Sequence, residues 1–228
     1  MSKPHKKKPP PAVPQTDKQY LRSGMARRLP VAECWASSNW QKPDLLPTSV
    51  VVTRQHKNGN YTIGTYLLDM KCVGLKQTAY RVNLPDDEYR ELLDVFQEMQ
   101  PMERVDYVVA HNIVYGSIAY AEDLGIGLLD QHWALTQYIL DEDTDDIELI
   151  ELEYGFAGKP LYMAGPDDKV EQILLKLDKS VGYGNYGFIP HDPTGQVLED
   201  IAHGVGLEDD ADDKPTDDED WQDAEVVK

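Results

Sequence analysis

At 228 residues with 41% apolar side chains, the chain is long enough to bury one substantial core. Its net charge of −19 is split: residues 1–28 carry eight Lys/Arg against Asp17, residues 199–228 carry thirteen Asp/Glu against two Lys, and residues 29–198 hold 12 basic and 27 acidic residues. That acidic centre excludes a nucleic-acid-binding core, which needs a basic face to displace counterions, and leaves only the N-terminal stretch suited to phosphate.

No run approaches 18 consecutive apolar residues, so no membrane contact is expected. The basic N-terminus has no apolar stretch behind it, so no secretory leader is expected. Two cysteines make no disulfide framework, and a reducing, cytoplasmic location follows as the expectation.

In chain order, the Lys/Pro-rich residues 1–18 read as a disordered basic tail, 19–190 as one globular α+β domain, and 191–228 as a disordered acidic tail containing Trp221. Leu29 to Ala36 predicts a short strand. Ser49–Arg54 and Asn60–Val73 predict two strands joined through Asn58-Gly59, a pair that favours a type I′ turn. The second strand is apolar on both faces and therefore central, with Gly64 as a bulge position.

Thr78–Val82 predicts another strand. Asn83 is an N-cap candidate ahead of Pro85 and three acids, followed by Tyr89, Leu92, Leu93 and Phe96 at helical spacing. A second helix is expected from Glu103 to Leu124, apolar nearly all round over Val108–Ala121, and a shorter one over Asp130–Ile139. Ile147–Tyr154 alternates with period two and predicts a hairpin with Pro160–Ala164; a last helix follows Gly165-Pro166-Asp167-Asp168. The sum is an α+β fold with a mixed or antiparallel sheet of five to seven strands covered by three or four helices.

Four residues are candidates for catalysis: Arg54, Asp69, Lys76 and His111. Asp69 follows Tyr66-Leu67-Leu68, where a carboxylate requires a partner, and Lys76 or Arg54 are the cations at hand. His111, Tyr115 and Glu122 fall roughly on one helical stripe. Cys34, His56, Cys72 and His111 are the side chains able to supply a nitrogen/sulfur metal site, although none of their spacings is a paired-ligand motif. The acidic run from Asp141 fails as a calcium loop, having Asp146 where glycine belongs and Leu152 where glutamate belongs, and reads as a solvated loop. No phosphate-loop, dinucleotide, serine-hydrolase or zinc-protease motif is present, and no cofactor is expected.

Val52-Thr53-Arg54, Gly59, Tyr66-Leu67-Leu68-Asp69 and Cys72-Val73-Gly74-Leu75-Lys76 resemble the core of a family of uncharacterised bacterial proteins. In it, an Arg-bearing strand and a glycine turn lead into a Y/F-L-V-D-x-x-C-L-G-V-K run. Val114-Tyr115-Gly116, Tyr120-Ala121 and Leu124-Gly125 look similar to its helix, and Gly158-Lys159-Pro160-Leu161-Tyr162 with Gly165-Pro166-Asp167-Asp168 to its closing hairpin and helix cap. The resemblance covers roughly residues 20–185, with Leu68 and Leu75 where the family often has valine. It implies a cytosolic bacterial or phage-borne α+β protein and names no reaction.

The functional expectation is a non-catalytic binding or adaptor protein with a protein partner. Its alternatives are a hydrolase-like enzyme with a site near Asp69, Arg54 and His111, or an RNA- or ribosome-associated protein contacting RNA through residues 1–18.

Overall fold

The β-rich half of the chain is built on four consecutive strands that fold back on one another. A computed structural model describes residues 16–194 apart from Pro43, Leu129 and Pro193; the basic residues 1–15, and the acidic stretch from 195 with Trp221, lie outside the described residues. Strands β1 (Val31–Ser37), β2 (Thr48–Gln55), β3 (Tyr61–Asp69), β4 (Gly74–Leu84) and β5 (Met102–Val105) form an antiparallel sheet in the order β4-β3-β2-β1-β5. A separate two-stranded parallel sheet joins β6 (Leu161–Met163) to β7 (Gly187–Ile189). The helices are α1 (Asp17–Arg22), α2 (Asp86–Met99), α3 (Tyr107–Asp123), α4 (Trp133–Thr136) and α5 (Val170–Ser180), so the described residues hold five rather than three or four. The fold is α+β, as expected.

Alternation along the strands sorts the core into two layers. Val50, Val52, Tyr66 and Leu68 pack with Cys34 and Ala36 against Ala110, Ile113 and Val114 of α3 and Trp133 and Leu135 of α4. Val51, Tyr61 and Ile63 face the other way, onto Tyr89 and Leu93 of α2. Strand β2 is thus buried on both faces, which explains the three consecutive valines Val50–Val52 at its centre. A separate cluster gathers Cys72 and Val73 with Ala121 and Leu124 from the end of α3, Tyr162 of β6 and Ile173 and Leu177 of α5.

The chain divides into two compact units, residues 1–191 and 192–228. Of the second, Asp192 and Thr194 are described, and the Asp192 carboxylate accepts from the Thr194 amide and hydroxyl.

Several local expectations are corrected. Between β2 and β3 only Gly59 takes a left-handed φ, of 91°, while Asn58 does not. Gly59 N–H donates to the His56 carbonyl and His56 N–H to the Asn60 carbonyl, which is a type I turn closed by a glycine bulge rather than type I′. Gly64 is regularly paired on both sides; its missing Cβ makes room for the ring of Tyr66, whose hydroxyl donates to the Thr136 carbonyl. The bulges lie in β4 instead: Leu67 and Leu68 face Gln77 and Leu75, leaving Lys76 as the extra residue. A second falls at Val82–Asn83, where Asn83 has φ 56° and is a bulge residue instead of the N-cap of α2.

The expected strand through Val73 ends at Asp69 and turns back over Met70–Val73. The expected helix from Glu103 begins at Tyr107, because Met102–Val105 pairs with β1. The helix over Asp130–Ile139 contracts to α4. The hairpin of Ile147–Tyr154 with Pro160–Ala164 does not form: Leu161–Met163 pairs with β7, and 147–154 is an unpaired strap across α3. Its alternation is real, with Ile150, Leu152 and Tyr154 half-buried and Glu151 and Glu153 exposed, but it records a strap with one face on a helix. Helix α1 carries a capping box between Thr16 and Gln19, so Asp17 and Lys18, expected in the tail, belong to a helix.

Candidate functional site

Arg54, near the end of β2, is 2% exposed, and each of its five N–H groups has a partner. Nε donates to the Ile139 carbonyl; Nη1 donates to the carbonyls of Arg27 and Leu29, both at 3.0 Å; Nη2 donates to Asp141 Oδ1 at 2.9 Å and to the Tyr107 hydroxyl at 3.3 Å. The guanidinium also lies over the Tyr107 ring, 5.5 Å from its centre. Asp141 N–H donates to the Tyr107 hydroxyl at 2.7 Å.

His111, the next turn of α3, reaches the Asp141 carbonyl through Nε2 at 3.2 Å. A carbonyl only accepts, so Nε2 carries the proton. Burial pushes this imidazole's pKa below the usual histidine value, against the opposing pull of the Asp141 carbonyl and of the Asp143 and Asp141 charges. The ring stacks on Tyr115 with centroids 4.5 Å apart. Arg27 holds the same loop, donating to the carbonyls of Leu140 and Gln137 and pairing with Glu142 at 2.6 Å. The start of the acidic run is therefore docked by two arginines, where the sequence suggested a wholly solvated loop.

Arg54 and His111 are thus brought together through Asp141, and Asp69 is not with them. Arg54 faces Thr62, and Asp69 lies seven residues further along β3, about 23 Å at 3.3 Å per residue. The hydrolase constellation does not assemble. Glu122 is exposed, whereas His111 is buried and Tyr115 half-buried. With every guanidinium donor engaged within the protein, Arg54 has none to offer a substrate.

Asp69 is 3% exposed and has a different cation from the one expected. Its Oδ1 accepts from the Lys71 backbone N–H at 2.8 Å and stands 3.7 Å from Lys71 Nζ. Lys76 instead lines a small cavity with Asp69 and Lys71, walled by Leu45 and Pro47 before β2 and by Met163 and Ala164 at the end of β6, with a volume of about 130 Å³. Lys71 Nζ donates to the Leu46 carbonyl at 3.1 Å. The turn that carries it, Met70–Val73, is wholly buried and tied down by Gly155 N–H to the Met70 carbonyl and Leu161 N–H to the Lys71 carbonyl. Turns ordinarily run over the surface because their polar backbone must be satisfied, and here other segments supply that satisfaction. Lys71 escaped sequence reading, although a lysine between Met70 and Cys72 in a run of buried residues was the signal for it.

A cleft of about 520 Å³ lies between α3 and the 149–154 strap. Asn112 clamps the strap by donating to the Glu148 carbonyl and accepting from Ile150 N–H, both at 2.9 Å. Gly116 leaves room for the Tyr154 hydroxyl, which would meet a Cβ there at 2.0 Å. Tyr120 and Tyr154 stack with centroids 5.2 Å apart, and burial pushes the pKa of each, and of Tyr115, up to about 12, so all three keep their protons. Asp123, Asp143 and Glu151 ring the cleft, which has no Lys, Arg or His in its lining.

The four metal candidates stay apart. Cys34 is buried in β1, Cys72 in the β3–β4 turn, His56 in the β2–β3 turn against Thr62 and Tyr20, and His111 against Asp141. Among the described residues no group of three or more His, Cys, Asp or Glu is placed to hold a metal. Burial pushes the thiol of Cys34 up to about 12 and that of Cys72 higher still, so neither supplies a thiolate at neutral pH. No described helix is long and apolar enough to cross a membrane.

Comparison with known proteins returns no family model, no curated protein and no solved structure that matches the chain. The reading of function rests on the geometry alone.

Proposed function

We propose that this is a binding protein of adaptor type, which receives a basic segment of a partner protein in the cleft between α3 and the 149–154 strap. The observation that carries this reading is the lining: three tyrosines and three carboxylates, with no positive side chain among them. Lys and Arg side chains suit such a surface twice over, because ring faces attract cations and the carboxylates add Coulomb attraction. Leu149, 91% exposed at the rim, supplies an apolar contact for the stem of a long basic side chain. The net negative charge of residues 29–198 favours encounter with a basic partner over a wider range.

The test is anisotropy of a fluorescent Lys/Arg-rich peptide with the full chain, compared with a Glu-substituted version of that peptide. Binding should be selective for the basic peptide and should weaken about tenfold in the double variant Asp123→Lys/Glu151→Lys, roughly 1.4 kcal/mol. Equal binding by the variant and the parent sinks the cleft as the site. Expected contacts of residues 1–18 with RNA concern a segment largely outside the described residues, and no feature of the fold favours them.

A further inference from the structure

A second site, unrelated to the cleft, lies where the buried β3–β4 turn meets β6. We infer that Lys71 is a nucleophilic amine that forms an imine with a small aldehyde or ketone admitted to the cavity it shares with Asp69 and Lys76. Three observations support this. The cavity, of about 130 Å³, is small and borders Lys71 directly, which suits a short-chain carbonyl compound. The Lys71 side chain is 2% exposed, and beyond the 3.7 Å contact with Asp69 it has one hydrogen bond, to the Leu46 carbonyl. The bulge in β4 singles out Lys76 as the unpaired residue, and Lys76 lines the same cavity.

The charged groups around Lys71 set its protonation. Burial lowers its pKa below the usual lysine value, and Lys76 acts in the same direction; Asp69 and Asp44 oppose them. Desolvation, and to a smaller extent a neighbouring cation, shift a lysine toward its neutral, nucleophilic amine.

The chemistry balances without any further reagent. The Lys71 ammonium first gives a proton to the Asp69 carboxylate; the Nζ lone pair then attacks the carbonyl carbon, a C–N bond forms, and the C=O π pair moves to oxygen, which takes that proton from Asp69. The nitrogen loses its surplus proton to the Asp69 carboxylate, in contact at 3.7 Å. Asp69 returns that proton to the hydroxyl, which departs as water while the nitrogen lone pair closes the C=N bond. Asp69 is therefore the proton carrier and Lys71 the group that becomes covalently attached.

The experiment uses the full chain with propionaldehyde in one arm and pyruvate in the other, each trapped with cyanoborohydride and mapped by peptide mass spectrometry. Lys71 should be modified at least tenfold faster than the exposed lysines Lys57 and Lys159. Preference for pyruvate would place its carboxylate with Lys76; preference for propionaldehyde would make the cavity a neutral-carbonyl site, and both support the inference. Modification of Lys71 no faster than that of the two exposed lysines in either arm overturns it. In Lys76→Gln, losing the neighbouring positive charge should move the pH midpoint of Lys71 modification upward; an unmoved midpoint removes Lys76 from the site. Peptide binding at the α3 cleft is measured on the same preparation, so the two readings fail separately.

Discussion

Arg54 and Lys71 are two cations buried to the same degree, and the difference between them lies in how their donors are used. Arg54 has five N–H groups and five protein acceptors, drawn from the segment before β1, from Tyr107 at the start of α3 and from the chain that follows α4. Lys71 has three donors, one well-made bond to Leu46, a longer contact to Asp69 and a cavity beside it. Burial of charge is costly in both places and does not by itself identify a functional site. A cation whose donors are all consumed by backbone and aspartate acts as a clamp; one with capacity left, facing open volume, is where chemistry can occur.

This contrast can be broken most severely at Arg54. Arg54→Met should cost about 4 kcal/mol, since three carbonyls and Asp141 lose their donor together. Arg54→Lys should recover less than half of that, because three donors cannot replace five in a fixed fork. Urea unfolding at neutral pH measures both, and a lysine variant as stable as the parent would show that the clamp is not a five-donor device.

At the other end, Gly74→Ala should cost about 3 kcal/mol. The residue has φ 69°, and a Cβ there would stand 2.7 Å from the Ser117 carbonyl oxygen and 2.8 Å from Ala121 Cβ. Lys71→Met should cost less, about 2 kcal/mol, as it removes one bond to a carbonyl and one long ionic contact. Should Lys71→Met prove as damaging as Arg54→Met, the two cations would be equivalent clamps and the contrast would vanish.

The smallest effect concerns pH. Burial lowers the folded-state pKa of His111 below its ordinary value of 6.5, so the unfolded chain binds the proton first as pH falls. Its contribution to stability is complete above about pH 6.5 and is lost on acidification toward the lower folded value. His111→Phe should cost about 1 kcal/mol at pH 8 through the lost bond to Asp141, and should flatten the fall in stability between pH 6.5 and 5. Some slope should persist, since burial lowers the pKa of His56 as well. Thermal unfolding across this range gives the slopes; an unchanged slope would show that His111 titrates normally in the folded chain.

The signals that proved legible were local ones. The β2–β3 hairpin, the dipole-facing acids of α2 and the helical register of α5 each follow from a few consecutive residues. Asp69 as a buried charge was legible too, from the apolar run before it. Two elements misled for opposite reasons. Met102–Val105 is separated from the apolar stretch of α3 by Asp106 alone, its N-cap residue, so a strand was hidden in an apparent helix. Ile150–Tyr154, at the end of the expected strand, alternates with period two yet pairs with no strand, because one-sided burial against a helix imposes the same pattern as a sheet face.

By itself, the sequence determined the α+β class, the two-sided burial of β3, and the need for a partner at Asp69. Only the tertiary structure decided which partner each charge found. Arg54 meets Asp141 across 87 residues of chain, while Asp69 takes Lys71 two residues away in preference to the expected Lys76. Spacing along a strand or helix fixes which face a side chain occupies, because backbone geometry is periodic. It carries no term for which distant segment folds against that face, and hydrogen-bond saturation, cavities and electrostatic neighbours are all set there.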